Sequence, residues 1–210
     1  LAGKFEWPDD STMRFIPDKP LPPDTVLKVS FEKSATAANG LGMPDPVSFQ
    51  YQTSPFLSAT ERLPRPESTD VDPTSAIVAT FNLPVVPLGE TTSSPEAFTI
   101  TPAVEGRGEW LNTSAYIFYP EPALQGGVKY SVALNPDLTS QSGSSFSTDA
   151  ILNWSFSTAL PSLVNLEPAS GSIIGLDAPI TLTFNQPINR SSVEGAFQFN
   201  TQSVLSVYNA

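Results

Sequence analysis

Sliding the sequence against itself by 103 positions aligns residues 3–31 with residues 106–134 without a gap. Eight of those 29 positions are identical: Gly3/Gly106, Glu6/Glu109, Trp7/Trp110, Ser11/Ser114, Phe15/Phe118, Pro17/Pro120, Leu21/Leu124 and Val29/Val132. The correspondence continues, shifted by two, where Phe49-Gln50-Tyr51-Gln52-Thr53 answers Trp154-Ser155-Phe156-Ser157-Thr158. A second overlap at 103 joins Thr80-Phe81-Asn82-Leu83-Pro84-Val85 to Thr183-Phe184-Asn185-Gln186-Pro187-Ile188, and Ala97-Phe98 then falls opposite Ala196-Phe197. Such self-similarity means one structural unit used several times. The frame that follows is the carboxyl-terminal half of a first repeat at 1–53, a whole repeat at 54–158, and the amino-terminal half of a third at 159–210.

Within the whole repeat the apolar pattern has period two, the signature of half-buried strands. Ile77, Ala79 and Phe81 alternate with Val78 and Thr80, Val128 to Leu134 behave likewise, and so do Leu152, Trp154 and Phe156. Adding 56–60, 97–101 and 114–119 predicts six or seven short strands. Turn-forming clusters separate them, such as Pro64-Arg65-Pro66, Gln125-Gly126-Gly127 and Ser142-Gly143-Ser144. About 100 residues with about seven strands is the size of an immunoglobulin-like sandwich, so the expected fold is all-β, a tandem of such sandwiches. A single closed barrel over the whole chain leaves the repeat period unexplained.

The 22 prolines in 210 residues argue against long helices, because proline breaks the interior hydrogen-bond ladder. Ten Lys and Arg face 21 Asp and Glu, a net charge of −11, which removes the phosphate-neutralising term needed for nucleic-acid binding. Cysteine is absent, excluding disulfides, thiolate nucleophiles and Cys-based metal sites. Histidine is absent too, and with it the commonest general base and transition-metal ligand. No apolar run approaches the roughly 20 residues that span a bilayer, so no membrane insertion is expected of this segment. With Leu1 rather than Met at its start, the sequence reads as an excised piece whose targeting signal lies outside it.

Five patterns invite chemistry, and plainer readings stand beside them. Ser30-Phe31-Glu32-Lys33 fits the Ser-x-x-Lys spacing of penicillin-recognising acyl enzymes, yet Ser30 ends a predicted strand and answers Ala133 in the repeat. Asp70 and Asp72 offer two hard oxygen ligands for a calcium ion between domains; the plainer reading is a solvated loop leading into the Ile77 strand. Glu105 and Glu109 form a carboxylate pair of the kind glycosidases use, but without a cleft to place a sugar. Asn112, Asn153 and Asn189 head short glycosylation sequons, and Pro17-Asp18-Lys19-Pro20-Leu21-Pro22-Pro23 looks like a polyproline ligand although Pro17 and Leu21 align with Pro120 and Leu124. No catalytic residue and no cofactor is expected.

The residues Asp177-Ala178-Pro179-Ile180-Thr181-Leu182-Thr183-Phe184-Asn185-Gln186-Pro187-Ile188, followed by Phe197, resemble the opening half of bacterial Ig-like repeats of surface and periplasmic proteins. The closing half of that pattern is matched by Phe118-Tyr119-Pro120, Leu124, Gly126-Gly127, Tyr130-Ser131-Val132 and Trp154 to Thr158. The wording Gly106-Arg107-Gly108-Glu109-Trp110-Leu111-Asn112-Thr113, with the lead-in Asp70-Val71-Asp72-Pro73-Thr74-Ser75-Ala76, resembles the amino-terminal region of large bacterial alpha-2-macroglobulin-like proteins. That resemblance implies a secreted or membrane-anchored protease trap, extracytoplasmic in periplasm or at the cell surface, whose bait segment and thioester lie in other domains. Without cysteine this segment cannot carry the thioester. What the resemblance implies here is a non-catalytic scaffold whose partners are adjacent domains and, through the parent protein, proteases. The alternative is a ligand-binding Ig-like module of a cell-surface adhesin or carbohydrate-active enzyme.

Two structural expectations remain. A sandwich divided between two ends exposes an apolar face and unpaired strand edges, so residues 1–53 and 159–210 need cover: their missing halves, or head-to-tail self-association through the half-repeats. A permuted frame of two domains meeting near Gly106 would avoid that need, but Trp-Ser-Phe-Ser-Thr before Pro161 reads as a last strand leaving its sheet. The aromatic window GEWLNTSAYIFYP at 108–120 has a copy that keeps Trp7 and Phe15 and stays apolar where Tyr116 becomes Met13. It therefore predicts packing, with Trp110 and Phe118 largely buried between sheets.

Overall fold

The computed structural model describes residues 1–89 and 94–200, so residues 201–210 of the third segment lie outside the described residues. Among the described residues fourteen strands and one short helix follow in order: β1 (Gly3–Asp9), β2 (Thr12–Pro17), β3 (Val26–Phe31), β4 (Val47–Gln52), β5 (Ala59–Leu63), β6 (Ser68–Val71), β7 (Ile77–Phe81), β8 (Phe98–Thr101), β9 (Gly106–Trp110), β10 (Ala115–Pro120), β11 (Lys129–Leu134), β12 (Asn153–Thr158), β13 (Leu163–Glu167), β14 (Thr181–Phe184) and α1 (Arg190–Ala196). Strands β5 to β12 build a two-sheet sandwich, one sheet in the order β5-β7-β10-β9 and the other β6-β12-β11-β8. Eight strands thus stand where the apolar alternation marks six or seven. All pairings are antiparallel except β6 on β12, which is parallel. The chain changes sheets at Pro64-Arg65-Pro66, where proline has no N–H to continue a ladder.

The alternation read from the sequence is the burial seen in the fold. Along β7 the side chains of Ile77, Ala79 and Phe81 are buried and those between are half-buried. Strands β11 and β12 bury Tyr130, Val132, Leu134, Trp154 and Phe156 from the opposite sheet. Phe98 joins the two layers, meeting Tyr116 of the opposite sheet edge-on at 5.2 Å; within its own sheet it meets Trp154 edge-on at 5.8 Å, and Tyr130 stacks on Phe156 at 5.7 Å. The polar tips are satisfied, since Trp154 Nε1 donates to Pro64 O, Trp110 Nε1 donates to Pro95 O, and the Tyr130 hydroxyl accepts from Gln125 N.

The repeat recurs hydrogen bond by hydrogen bond. Thr158 Oγ1 donates to Gln125 O at 2.6 Å and accepts from Val128 N at 3.1 Å. Thr53 Oγ1 does the same with Pro22 O at 2.7 Å and Thr25 N at 2.8 Å. The left-handed backbone at Gly127 has its counterpart at Asp24, a residue type that tolerates that conformation. Asn82 accepts from Ser58 N and donates to Phe56 O; Asn185 accepts from Ser162 N and donates to Leu160 O.

What differs is completeness. Residues 1–53 form two two-stranded sheets, β1-β2 and β3-β4, and contain no fully buried side chain. Residues 159–200 form the β13-β14 pair and the seven-residue α1, with Gln186 their one buried side chain among the described residues. Ser172 to Gly175, which correspond to β6, form no strand; the partner of β6 is β12, whose counterpart belongs to a closing half.

Candidate functional site

An apolar concavity lies in the amino-terminal half-repeat. Phe5 and Phe15, tilted against each other at 5.3 Å, face Leu27, Val29 and Phe31 across a trough of about 620 Å³. The strand period puts these side chains on the inner faces of β1-β2 and β3-β4, the faces that in the complete sandwich form the core. A second feature is the joint after β12. Gly127 N donates to Ala159 O at 3.0 Å, Gln186 Nε2 donates to the same carbonyl at 3.3 Å, and the Gln186 amide lies against Gly126 where a Cβ would collide with it. The first joint repeats the main-chain bond, with Asp24 N donating to Ser54 O at 2.9 Å.

The residues singled out for chemistry do not converge. Asp70 belongs to β6 and takes left-handed backbone at φ 54°, so the lead-in to Ile77 contains a strand where the sequence suggests only a loop. Asp72 follows in a turn and spends Oδ1 on Thr74 N and Thr74 Oγ1; these two donors hold its carboxyl below the ordinary value. Among the described residues no three carboxylates gather into a metal-sized cluster. Ser30 lies on β3, not on a helix, and Lys33 turns away to Asp45 at 3.4 Å. Glu109 pairs with Arg107 at 2.8 Å, and strand rise separates it from Glu105 by roughly 13 Å, beyond the usual glycosidase spacing. Of the sequon asparagines, Asn112 accepts from Ser114 N, Asn153 pairs in β12 and Asn189 caps α1. Pro17 closes β2 and, with Leu21, lines the trough.

The aromatic window divides. Trp110 is buried, with Tyr116 edge-on at 5.4 Å and Phe81 at 5.9 Å. Phe118 is only half-buried, a correction to its expected place in the core: it lines an open cleft beside Ile100 and Val104. Burial, then the nearby Glu96 charge, pushes the Tyr116 hydroxyl above its ordinary value. Alternation gave no sign of the contact made by Glu67, which accepts from Ser155 Oγ at 2.6 Å and pairs with Lys129 at 3.2 Å. Ser155 first and Lys129 second hold its carboxyl below the ordinary value.

The sandwich is also what comparison with protein families recognises: the bacterial Ig-like domain matches residues 54–158, half of the chain. The chain belongs to the bacterial Ig-like domain family. Membership supports a non-catalytic structural module in general terms. Among solved structures the Ig-like chain is similar to L,D-transpeptidase 3 from Mycobacterium tuberculosis, with 17% identity over 50% of this chain and 38% of that one and a TM-score of 0.33. It is also similar to an L,D-transpeptidase from Mycobacterium smegmatis, at 12% identity over 51% and 41% with a TM-score of 0.35. The match thus takes in about two fifths of the length of those enzymes. No curated protein matches the chain. Among the described residues of this Ig-like chain, no helix is long and apolar enough to cross a membrane.

Proposed function

We propose that the chain is a non-catalytic spacer of an extracytoplasmic bacterial protein, framed as a closing half-repeat at 1–53, a complete Ig-like repeat at 54–158 and an opening half-repeat at 159–210. The observation that carries this reading is the recurrence of the joint: Asp24 to Ser54 and Gly127 to Ala159 tie each closing turn to the chain that leaves it. A hydrogen-bonded joint repeated at a fixed interval holds neighbouring repeats at a set spacing. Candidate chemistry that stays scattered over separate strands and turns favours this role over a ligand site. Within it, the wording of 70–76 and 106–113 points to an alpha-2-macroglobulin-like protease trap as the parent protein, with proteases engaged by other domains.

Limited proteolysis with calorimetric titration tests the reading. Expected is a protease-resistant product covering 54–158 and no saturable heat with glycans or calcium. Persistent cutting within 103–108 with loss of 54–158 would overturn the frame. Saturable micromolar glycan binding would overturn the spacer role, and calcium binding lost in Asp70→Asn or Asp72→Asn would assign those residues a metal.

A further inference from the structure

The complete repeat is open along one long side of its sandwich. One sheet ends at β9 and the other at β8, and between these two edges runs a cleft of about 430 Å³. Its origin is the composition of β9. The rings of Tyr116 and Phe118, on the inner face of β10, end against Gly108 and Gly106, so β9 sends no side chain between the sheets there. The same alternation directs the main chain. Glu105 O accepts from Glu121 N and Leu111 N donates to Ala115 O, so the odd-numbered residues turn their polar groups toward β10. Gly106, Gly108 and Trp110 therefore turn N–H and C=O outward, to an edge that carries no strand among the described residues.

Three polar side chains line this cleft uncommitted. Tyr116 is only 5% exposed, yet among the described residues its hydroxyl makes no hydrogen bond, and a buried polar group without a partner is costly. Glu96 and Glu105 have their main chains held, by Asn135 Nδ2 on Glu96 O at 3.3 Å and Glu121 N on Glu105 O at 2.9 Å. Neither carboxylate belongs to an ion pair among the described residues, and the lining contains no Lys or Arg. The walls between them are apolar, with Phe98, Ile100 and Phe118. The fold does not require this arrangement. In the first repeat Met13 stands for Tyr116, Phe5 for Gly108 and Ala2 for Glu105, leaving neither hydroxyl, gap nor charge.

We propose that this cleft docks an extended, lysine-bearing polypeptide segment, which adds to the free edge of β9 and lays its ammonium group between Glu96 and the Tyr116 hydroxyl. Gly106 and Gly108 offer main-chain bonds with no side chain in the way, and alternate apolar residues of the segment meet Ile100 and Phe118. An ammonium donates three hydrogen bonds and accepts none, which matches two carboxylates and a hydroxyl oxygen. The net charge of −11 attracts such a segment from a distance. This adds a contact surface to the spacer and stands whichever larger protein carries the repeat.

The probe is the capped peptide Thr-Val-Thr-Lys-Thr-Val-Thr, in which valine and lysine share one strand face, titrated into the 210-residue chain and followed by amide NMR shifts. Saturable shifts are expected at Gly106, Gly108 and Trp110. Glutamate in place of the peptide lysine should weaken binding more than about tenfold, Tyr116→Phe about fivefold and Glu96→Gln about threefold. Peptides N-methylated at alternate amides should bind in one phase and not in the other, because only every second amide faces β9. Gly108→Phe combined with Tyr116→Met copies the first repeat into the cleft and should abolish binding, with its unfolding midpoint reporting whether the sandwich is intact; Tyr116→Phe and Glu96→Gln carry the test if it is not. Absence of saturable shifts, shifts confined to another edge, or equal binding of the glutamate peptide would overturn the docking site. So would equal binding in both methylation phases, or a capped single lysine that binds as tightly as the peptide.

Discussion

Thr158 shows how much one hydroxyl can hold. Its side chain is buried and serves two backbone groups of the 125–128 turn, a carbonyl and an N–H that otherwise lack those partners. Thr158→Val keeps the shape and removes both bonds, so a destabilisation of about 1–3 kcal/mol is expected by denaturant titration. Thr53→Val removes the same pair from a more exposed turn, where water replaces them, and should cost less. The sequence aligns the two threonines and places them at the end of a last strand. It conceals their task, because the turn they cap lies about 30 residues upstream and returns to them only in the folded sheet.

At the level of elements, equal residues have unequal worth because only one copy has its covering sheet. Trp110 and Trp7 occupy the same place in β9 and β1, yet one is buried and the other is largely exposed. Trp110→Ala should therefore destabilise the sandwich by about 3–5 kcal/mol, and Trp7→Ala by less than about 0.5 kcal/mol, as read from thermal or denaturant unfolding of the isolated chain. The core strands β7, β11 and β12 were legible from alternation because each has one face on the core. Strand β9 was not, because Gly106-Arg107-Gly108 has no apolar alternation; its glycines are set by neighbours, with no room for a Cβ at Gly106 against Tyr119 O or at Gly108 against the Tyr116 hydroxyl. Strand β6 escaped for another reason. Ser68-Thr69-Asp70-Val71 has little apolar pattern, and its order comes from a parallel partner almost 90 residues away. Phe118 was placed too deep because period two assigns a face but not a distance from the sheet margin, and its margin opens into a cleft.

Across the whole molecule, the joint after β12 is separable from the sandwich it follows. Gly126→Val would drive the Gln186 side chain from its seat, since even a Cβ there collides with Oε1. The displaced group is the end of a flexible side chain, so the sandwich itself should lose less than about 1 kcal/mol. Amide exchange at Asn185 and Gln186 should accelerate while that of β11 and β12 stays unchanged. The repeat alignment made the position of this joint legible; it did not reveal the seat, because the second repeat has Leu83 where the third has Gln186, and the first has Pro23 where the second has Gly126. The parallel pairing of β6 with β12 carries a further consequence. Glu67 N donates to Ser155 O and Ala159 N to Val71 O, so these bonds bracket the ladder between the first strand of that sheet and the last strand of the repeat. Tension drawn along the polypeptide pulls the two strands in opposite directions along their common axis. Their bonds are then loaded together in shear instead of being peeled one at a time, and the repeat resists extension most strongly along the line in which a spacer is pulled.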